Sequence, residues 1–396
     1  HSKLAAVRYA AAIRAALAER LERERLQPTP DLELIRRLGF LKVAVVVSAD
    51  ATNEPAVITE AGIRALRDGH TRYTHSLGRP ELREAIAAWY HRTYQVEVDP
   101  GRVVVTLGSS GAMTLVFRAL CDPGSEVLLT DPHYACYPQF VTAAGGFPVR
   151  IPVSEREGYQ YDPDEVRRRT GPATRALVLN SPANPTGIVT SPERMRALAE
   201  AVEGRAVIVS DEIYHGLVYR GRAETVLACS PGAVVINGFS KLYAMTGWRL
   251  GYAVLPDHLV RPVQKLQQNL FISAPDFAQH AAVAALTQAD EDVACMRACY
   301  DERRKLVLRR LARMGLEVLV EPTGAFYVFV NVRRHTADVV SFAYRMLDEA
   351  GVAVTPGLDF GPGGAGYIRI SYAASIEAIE EGMRRMGGFL DGLREG

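Results

Sequence analysis

The stretch Asn237-Gly238-Phe239-Ser240-Lys241-Leu242-Tyr243-Ala244-Met245-Thr246-Gly247-Trp248-Arg249 decides how the rest of the chain is read. The apolar run before it, Ala233-Val234-Val235-Ile236, predicts a buried strand, and Asn237-Gly238 predicts the turn that stops it. Lys241 then stands among small and apolar neighbours, with Arg249 further along the same segment. An ammonium at a strand end beside apolar side chains loses its proton more readily, because burial disfavours the charged form. Such an amine can form a Schiff base with an aldehyde cofactor. A lone lysine at a turn is more often a solvated side chain, so the assignment depends on what the other strand ends carry.

Those ends are found by working upstream. Apolar strands are expected at residues 103–107, 127–130, 176–179, 207–210 and 234–236, separated by helices at 112–120, 137–144 and 192–202. Short continuous apolar strands alternating with helices predict a mostly parallel sheet covered on both faces. In such sheets the chemistry collects just beyond the carboxyl ends of the strands. The residues found there are Gly108, Asp131-Pro132, Asn180-Ser181-Pro182, Asp211 and Lys241.

Each end carries a candidate. Thr106-Leu107-Gly108-Ser109-Ser110-Gly111-Ala112 joins a strand to a helix, and its small residues and free N–H groups suit a phosphate. In Asp131-Pro132-His133-Tyr134 the aromatic ring of Tyr134 could stack on a flat ring. Asn180-Ser181-Pro182-Ala183-Asn184-Pro185-Thr186-Gly187 would hold the Asn184 amide rigidly between prolines. In Ser210-Asp211-Glu212-Ile213-Tyr214 a carboxylate just past a buried strand must be paired, and a protonated ring nitrogen would satisfy it as well as a structural salt bridge. Near the C-terminus, Tyr367-Ile368-Arg369-Ile370-Ser371 sets one arginine centrally in an apolar strand, where its planar fork suits a carboxylate.

The flanking regions read differently. Helices are expected at residues 3–26, 31–38 and 59–67 and a strand at 43–47. After about residue 290 the alternation lapses into a compact α+β tail. Helices are expected there at 292–314, 338–350 and 376–393, and strands at 317–320, 326–330, 352–354 and 367–371.

Composition narrows the class. The chain has 396 residues, 48% hydrophobic and 23% charged, which is enough for a large core and two domains. With 46 basic against 45 acidic residues, no nucleic-acid surface is expected. No apolar stretch approaches the ~20 residues needed to span a bilayer, and no signal peptide is read. Five scattered cysteines point to a reducing compartment, the cytoplasm. The spacing of Cys295 and Cys299 suits one helix face, and packing accounts for the pair better than a metal; no metal site is expected.

Together these residues resemble the fold-type I pyridoxal-phosphate enzymes, specifically the aspartate aminotransferase-like class I/II aminotransferases. The resemblance runs from about Tyr73 to the C-terminus. It is carried by Ser181-Pro182-Ala183-Asn184-Pro185-Thr186-Gly187, Asp211-Glu212-Ile213-Tyr214 and Ser240-Lys241-Leu242-Tyr243-Ala244-Met245-Thr246-Gly247-Trp248-Arg249, with Tyr73-Thr74-His75-Ser76-Leu77-Gly78 a further match. It implies an α/β fold: a large domain with a mostly parallel seven-stranded sheet covered by helices on both faces, and a smaller α+β domain from both termini. The expected division is 1–50 for an arm and part of the small domain, 51–290 for the large domain and 291–396 for the small domain.

The resemblance also assigns roles. Lys241 would hold pyridoxal 5'-phosphate as a Schiff base and Asp211 would keep its ring nitrogen protonated. Asn184 and Tyr214 would bond its phenolic oxygen, and Tyr134 would stack on its ring. Ser109, Ser110, Ser240 and Arg249 would grip the phosphate, and Tyr73 would reach the phosphate of a neighbouring subunit, which implies a homodimer with shared sites. Arg369 would clamp the substrate α-carboxylate, helped by Asn184 and Ser48. The implied activity moves an amino group from an L-amino acid to a 2-oxo acid.

The chain departs from the family in places. Ser48-Ala49-Asp50-Ala51-Thr52-Asn53-Glu54-Pro55 stands where relatives carry a Gly-x-Pro-Asp-Phe-like stretch, and Gly238 stands where many have a phosphate-binding serine. No second arginine announces a clamp for a distal carboxylate, so a small or aromatic amino acid is the expected substrate. Phe326-Tyr327 and the loop 356–366 are expected to line the substrate side. The alternatives are another pyridoxal-phosphate reaction on the same scaffold (a carbon–sulfur β-lyase, a decarboxylase or a cyclising enzyme of secondary metabolism) or a non-catalytic relative.

Overall fold

The computed structural model describes residues 54–395 apart from 317. The expected helices at 3–26 and 31–38, the strand at 43–47 and Ser48 lie outside the described residues. In chain order come α1 (Ala56–Arg67), α2 (Pro80–Tyr94), β1 (Val103–Thr106), α3 (Gly108–Leu120), β2 (Glu126–Asp131) and α4 (Tyr137–Ala143). They are followed by β3 (Phe147–Pro152), α5 (Pro163–Arg169), β4 (Thr174–Asn180), α6 (Pro192–Val202), β5 (Val207–Asp211), β6 (Val234–Gly238) and β7 (Gly251–Val254).

These strands form one seven-stranded sheet in the order β1-β7-β6-β5-β4-β2-β3. The pairs β2–β3, β2–β4, β4–β5 and β5–β6 are parallel, and β7 is antiparallel to both β1 and β6. Successive side chains of a strand face opposite ways. Val103, Val105, Leu128 and Leu177 accordingly enter one buried cluster, while Val104, Val127, Leu129 and Ala176 enter the other. Helix α3 covers the second cluster through Met113, Val116 and Phe117, and α6 covers the first through Met195 and Leu198. Burial on both faces is the reason these strands read as unbroken apolar runs.

The chain continues through α7 (Asp257–Leu270), α8 (Asp276–Gln288), α9 (Asp290–Arg313), β8 (Tyr327–Asn331), α10 (Val339–Ala350), β9 (Thr355–Pro356), β10 (Tyr367–Ser371) and α11 (Ile376–Glu395). Strands β8, β10 and β9 make a three-stranded antiparallel sheet with β10 in the middle. Helix α10 starts where its sequence says: the Asp338 carboxylate accepts from the N–H groups of Val340 and Ser341. It ends at Gly351, whose φ of 67° is the left-handed conformation that glycine adopts without strain. The larger buried cluster runs unbroken from Leu128 and Leu177 to Val328 and Ile368, joining the two sheets.

Three expectations need correction. Residues 318–320 form no strand, and Leu319 is exposed, so it has no buried face to pair for. The strand expected at 352–354 is displaced to the short β9, beside β10. Helix α3 begins at Gly108, not at Ala112, which puts Ser109 and Ser110 in its first turn. Strands β3 and β7 were not expected. β3 is an edge strand with Phe147 exposed and Pro148 and Pro152 in it, and β7 is four residues starting on a glycine.

Candidate functional site

Strand β6 ends at Gly238, which pairs with Gly251 of β7. A Cβ on Gly251 would lie 2.6 Å from the backbone nitrogen of Ser109, so only glycine lets β7 meet the start of α3. The segment between these two glycines carries Lys241 and Arg249. Lys241 faces a cavity of about 440 Å³ at the carboxyl ends of β4, β5 and β6. Burial, and then the charges of Arg369 and Arg249, hold its ammonium below the ordinary lysine value, with Asp211 acting the other way. Its Nζ lies 5.7 Å from the centre of the Phe326 ring.

Asp211 is the last residue of β5 and is buried. Its Oδ2 accepts from the Tyr137 hydroxyl at 2.6 Å, and its Oδ1 accepts from the Ile213 N–H at 3.2 Å. Burial pushes its carboxyl up to about 6 despite both donors. Among the described residues no cationic side chain lies within ion-pair distance of it.

Asn184 is held by its backbone, whose N–H donates to Asn180 Oδ1 at 2.7 Å; the Asn180 amide in turn donates to the Asp211 carbonyl at 3.1 Å. Across the cavity, Arg369 sits at the centre of β10. Its Nη1 donates to Asn184 Oδ1 at 2.9 Å and its Nη2 to Thr355 Oγ1 at 3.2 Å. The guanidinium lies between the rings of Tyr327, at 4.4 Å, and Phe360, at 4.8 Å. Its buried Nε has no partner among the described residues. The Tyr214 and Tyr327 hydroxyls share a hydrogen bond of 2.9 Å.

Of the residues expected at a site, Ser109, Tyr134, Asn184, Asp211, Tyr214, Lys241 and Arg369 line this one cavity. Arg249 lies behind it, against the start of α3: a Cβ on Gly108 would come within 2.8 Å of Arg249 Nη2. Ser240 is buried beside Lys241, and Ser110 is exposed on α3. Tyr73 is 81% exposed and does not line the cavity. Phe326 and Tyr327 line it as expected, whereas loop 356–366 reaches it through Phe360 stacked on Arg369. Sequence reasoning gave no role to Tyr137, Asn180, Thr246, Thr355 or Ser371. Asn180, Thr246 and Ser371 each stand in a stretch that carries another candidate, at 180–187, 237–249 and 367–371, which is the signal that could have found them.

Two further polar groups lie apart from the cavity. Buried Glu212 is pushed up to about 8 by desolvation, although its Oε1 accepts from Val226 N, Thr225 Oγ1 and Ser210 Oγ. Its neighbour His215, 3.4 Å away and bonded to the Tyr94 hydroxyl, is pushed down to about 3 by burial. Separately, His70, Asp276 and His280 converge, but the Arg79 guanidinium sits 2.9 Å from Asp276 and supplies its counter-charge.

A mostly parallel sheet with an amine and a carboxylate beyond its strand ends, faced across the cavity by an arginine of the second sheet, is the site placement of an α/β enzyme. The family model for aminotransferase class I and II matches residues 46–386, and the chain belongs to that family. It is 40% identical over 89% of its length, and 92% of the relative's, to a probable aspartate/prephenate aminotransferase of Thermus aquaticus. It is 41% identical, over 85% and 88% of the two chains, to a valine–pyruvate aminotransferase of Mycobacterium tuberculosis. A solved aspartate aminotransferase mutant of Thermus thermophilus superposes with a TM-score of 0.82, covering 85% of this chain and 93% of that one at 40% identity. The protein is therefore a pyridoxal-phosphate-dependent aminotransferase acting on amino and 2-oxo acids.

Proposed function

We propose that the enzyme takes its amino group from a small or aromatic L-amino acid, and that it works in the cytoplasm as a homodimer with shared sites. The observation that carries this reading is the convergence of Lys241, Asp211 and Arg369 on one cavity. Two relatives at nearly equal identity are named for different substrates, so overall similarity does not choose between them. The lining supports a small or aromatic substrate. Lys241 and Arg369 are the cationic side chains among the described lining residues, and Tyr134, Tyr214, Phe326 and Tyr327 supply aromatic surface.

The residues fit the cofactor. Asp211 is a buried carboxylate in want of a cation, which a protonated ring nitrogen supplies. Gly251, whose backbone contacts leave no room for a Cβ, and Gly108, with a φ of 69°, bring the uncapped start of α3 beside Arg249, and an anion is at home there. Lys241 Nζ would hold the cofactor covalently, Ser109, Ser110, Ser240 and Arg249 would hold its phosphate, Tyr134 its ring face, and Asn184 and Tyr214 its phenolic oxygen. Bound pyridoxal phosphate supplies an electron sink for the pair left when a bond at the substrate's Cα breaks.

The rest is the work of this chain. Arg369 binds the α-carboxylate through its fork, already oriented by Asn184, Thr355 and the two rings. Lys241, its ammonium destabilised by burial, is the amine at the cavity placed to take the proton from Cα.

The exposed apolar side chains Tyr73, Leu270 and Ile272 lie on segments tied by the Thr74 N–H donating to Ser273 Oγ at 3.2 Å, and they support a partner subunit there. The five free thiols support a reducing compartment. Among the described residues no helix is long and apolar enough to cross a membrane. The division at residue 290 is supported by the second sheet, whose strands all follow that point.

A half-reaction screen tests the substrate. The common amino acids are mixed singly with the holoenzyme, and conversion of the bound cofactor to its amine form is followed by absorbance. Aromatic or small aliphatic amino acids should convert it fastest; conversion by aspartate and glutamate alone would overturn the assignment.

A further inference from the structure

Asp211 is held by a residue with no assigned role. Tyr137 opens helix α4 and is 2% exposed, and its hydroxyl donates to Asp211 Oδ2 at 2.6 Å. Its ring stands edge-on to Tyr134, 5.3 Å between centres, so it forms the wall directly behind a cavity residue. Burial, with the Asp211 charge next, pushes the Tyr137 hydroxyl well above the ordinary tyrosine value, so it can only donate here. The other donor to the carboxylate, the Ile213 N–H, is longer, at 3.2 Å. The side chain best placed to keep Asp211 ionised is therefore Tyr137.

We propose that Tyr137 is a positioning residue that stabilises the Asp211 carboxylate and so keeps the shared proton on the cofactor's ring nitrogen instead of on the carboxyl. The inference rests on the reading that Asp211 faces that nitrogen. Its physical basis is a competition between two bases for one proton in a dry site. A hydroxyl donating to the carboxylate favours the charge-separated state; without it a buried carboxylate is driven toward its neutral form.

The test is the ring-nitrogen chemical shift of holoenzyme reconstituted with ring-15N pyridoxal phosphate, in the native protein and in Tyr137→Phe. The native enzyme should show a protonated nitrogen, and Tyr137→Phe should move the shift toward neutral pyridine. The protonation ratio should fall about tenfold or more, the size of one lost charge-assisted hydrogen bond. kcat should fall with it while KM for the amino acid stays nearly constant. 3-Fluorotyrosine at position 137, a stronger donor, should keep the nitrogen protonated and rescue kcat. It also serves if the phenylalanine variant fails to fold. A native enzyme with an unprotonated nitrogen would overturn the Asp211 reading itself. A protonated nitrogen unmoved in Tyr137→Phe, with or without a loss of kcat, would overturn the Tyr137 role alone. So would a fluorotyrosine enzyme whose nitrogen has lost its proton.

Discussion

The carboxamide of Asn184 and the guanidinium of Arg369, 185 residues apart in the chain, meet at 2.9 Å across the cavity. Asn184 contributes its oxygen to that contact, which leaves its amide N–H₂ as the donor for a ligand. Arg369 is meanwhile fixed at both Nη atoms and between two rings before any substrate arrives. Preorganised in this way, the fork loses little freedom on binding a carboxylate.

Arg369→Lys should therefore raise KM for the amino acid roughly 10- to 100-fold, as expected for loss of a bidentate charged contact. Cofactor absorbance should stay intact. Steady-state kinetics decide it, and an unchanged KM would place the carboxylate elsewhere.

Lys241→Ala should abolish transamination and the absorbance of covalently held cofactor. After borohydride reduction, mass spectrometry of the native enzyme should find the cofactor on the peptide containing Lys241, and find none in the variant. A labelled peptide elsewhere would refute the assignment.

Gly251→Ala forces a Cβ to 2.6 Å from backbone atoms of Gly108 and Ser109, which no side-chain rearrangement can relieve. Unfolding free energy should drop by about 1–3 kcal/mol, the usual cost of overpacking, and cofactor affinity should fall with it. Gly232→Ala, where a Cβ meets open space, is the control and should change neither.

The buried pair Glu212 and His215 sets a pH signature. Glu212 is raised from 4.5 to about 8, so the folded state holds the extra proton between those values and this group's contribution falls as pH rises through that window. His215 is lowered from 6.5 to about 3, so its contribution rises with pH across that interval. The two slopes oppose each other from pH 4.5 to 6.5, and Glu212 alone acts from 6.5 to 8. Denaturant unfolding at pH 6.5 and pH 8 should show a loss in the native enzyme that is absent in Glu212→Gln. Equal losses in both would mean Glu212 is already ionised in the fold.

Shared sites predict complementation. In a heterodimer of Lys241→Ala and Tyr73→Ala subunits, one site regains both residues. A refolded equal mixture should exceed the mean activity of the two variants measured separately. Activity at that mean would remove Tyr73 from the neighbour's site.

Much of the site was legible because parallel sheets gather polar residues within a few positions of the ends of apolar runs. Lys241, Asp211 and Asn184 each occupy such a position, and one cavity gathers them. Tyr137 was given no role, and Asn180 only a place in a strand-end stretch, because their value lies in contacts 74 and 31 residues away in sequence, which only the folded chain brings together. Strand β7 lies in a short apolar run, Tyr252-Ala253-Val254-Leu255, that enters both core clusters, but its place between β1 and β6 depends on Gly251 packing against the backbone of Gly108 and Ser109. Residues 318–320 misled in the opposite sense: Val318-Leu319-Val320 has strand-forming composition, but Leu319 finds no partner face and stays exposed.

The pairing of Gly238 with Gly251 has an engineering consequence. The intervening stretch leaves and re-enters the sheet at adjacent points, so it behaves as a cassette with both feet clamped. Its interior is exchangeable only for a homologue's segment that keeps apolar side chains at 239, 242, 243 and 245, because Phe239, Leu242, Tyr243 and Met245 are buried in the larger core cluster. Such a graft would move the reactive amine relative to the cavity while leaving the anion cradle at the foot of the cassette where it was.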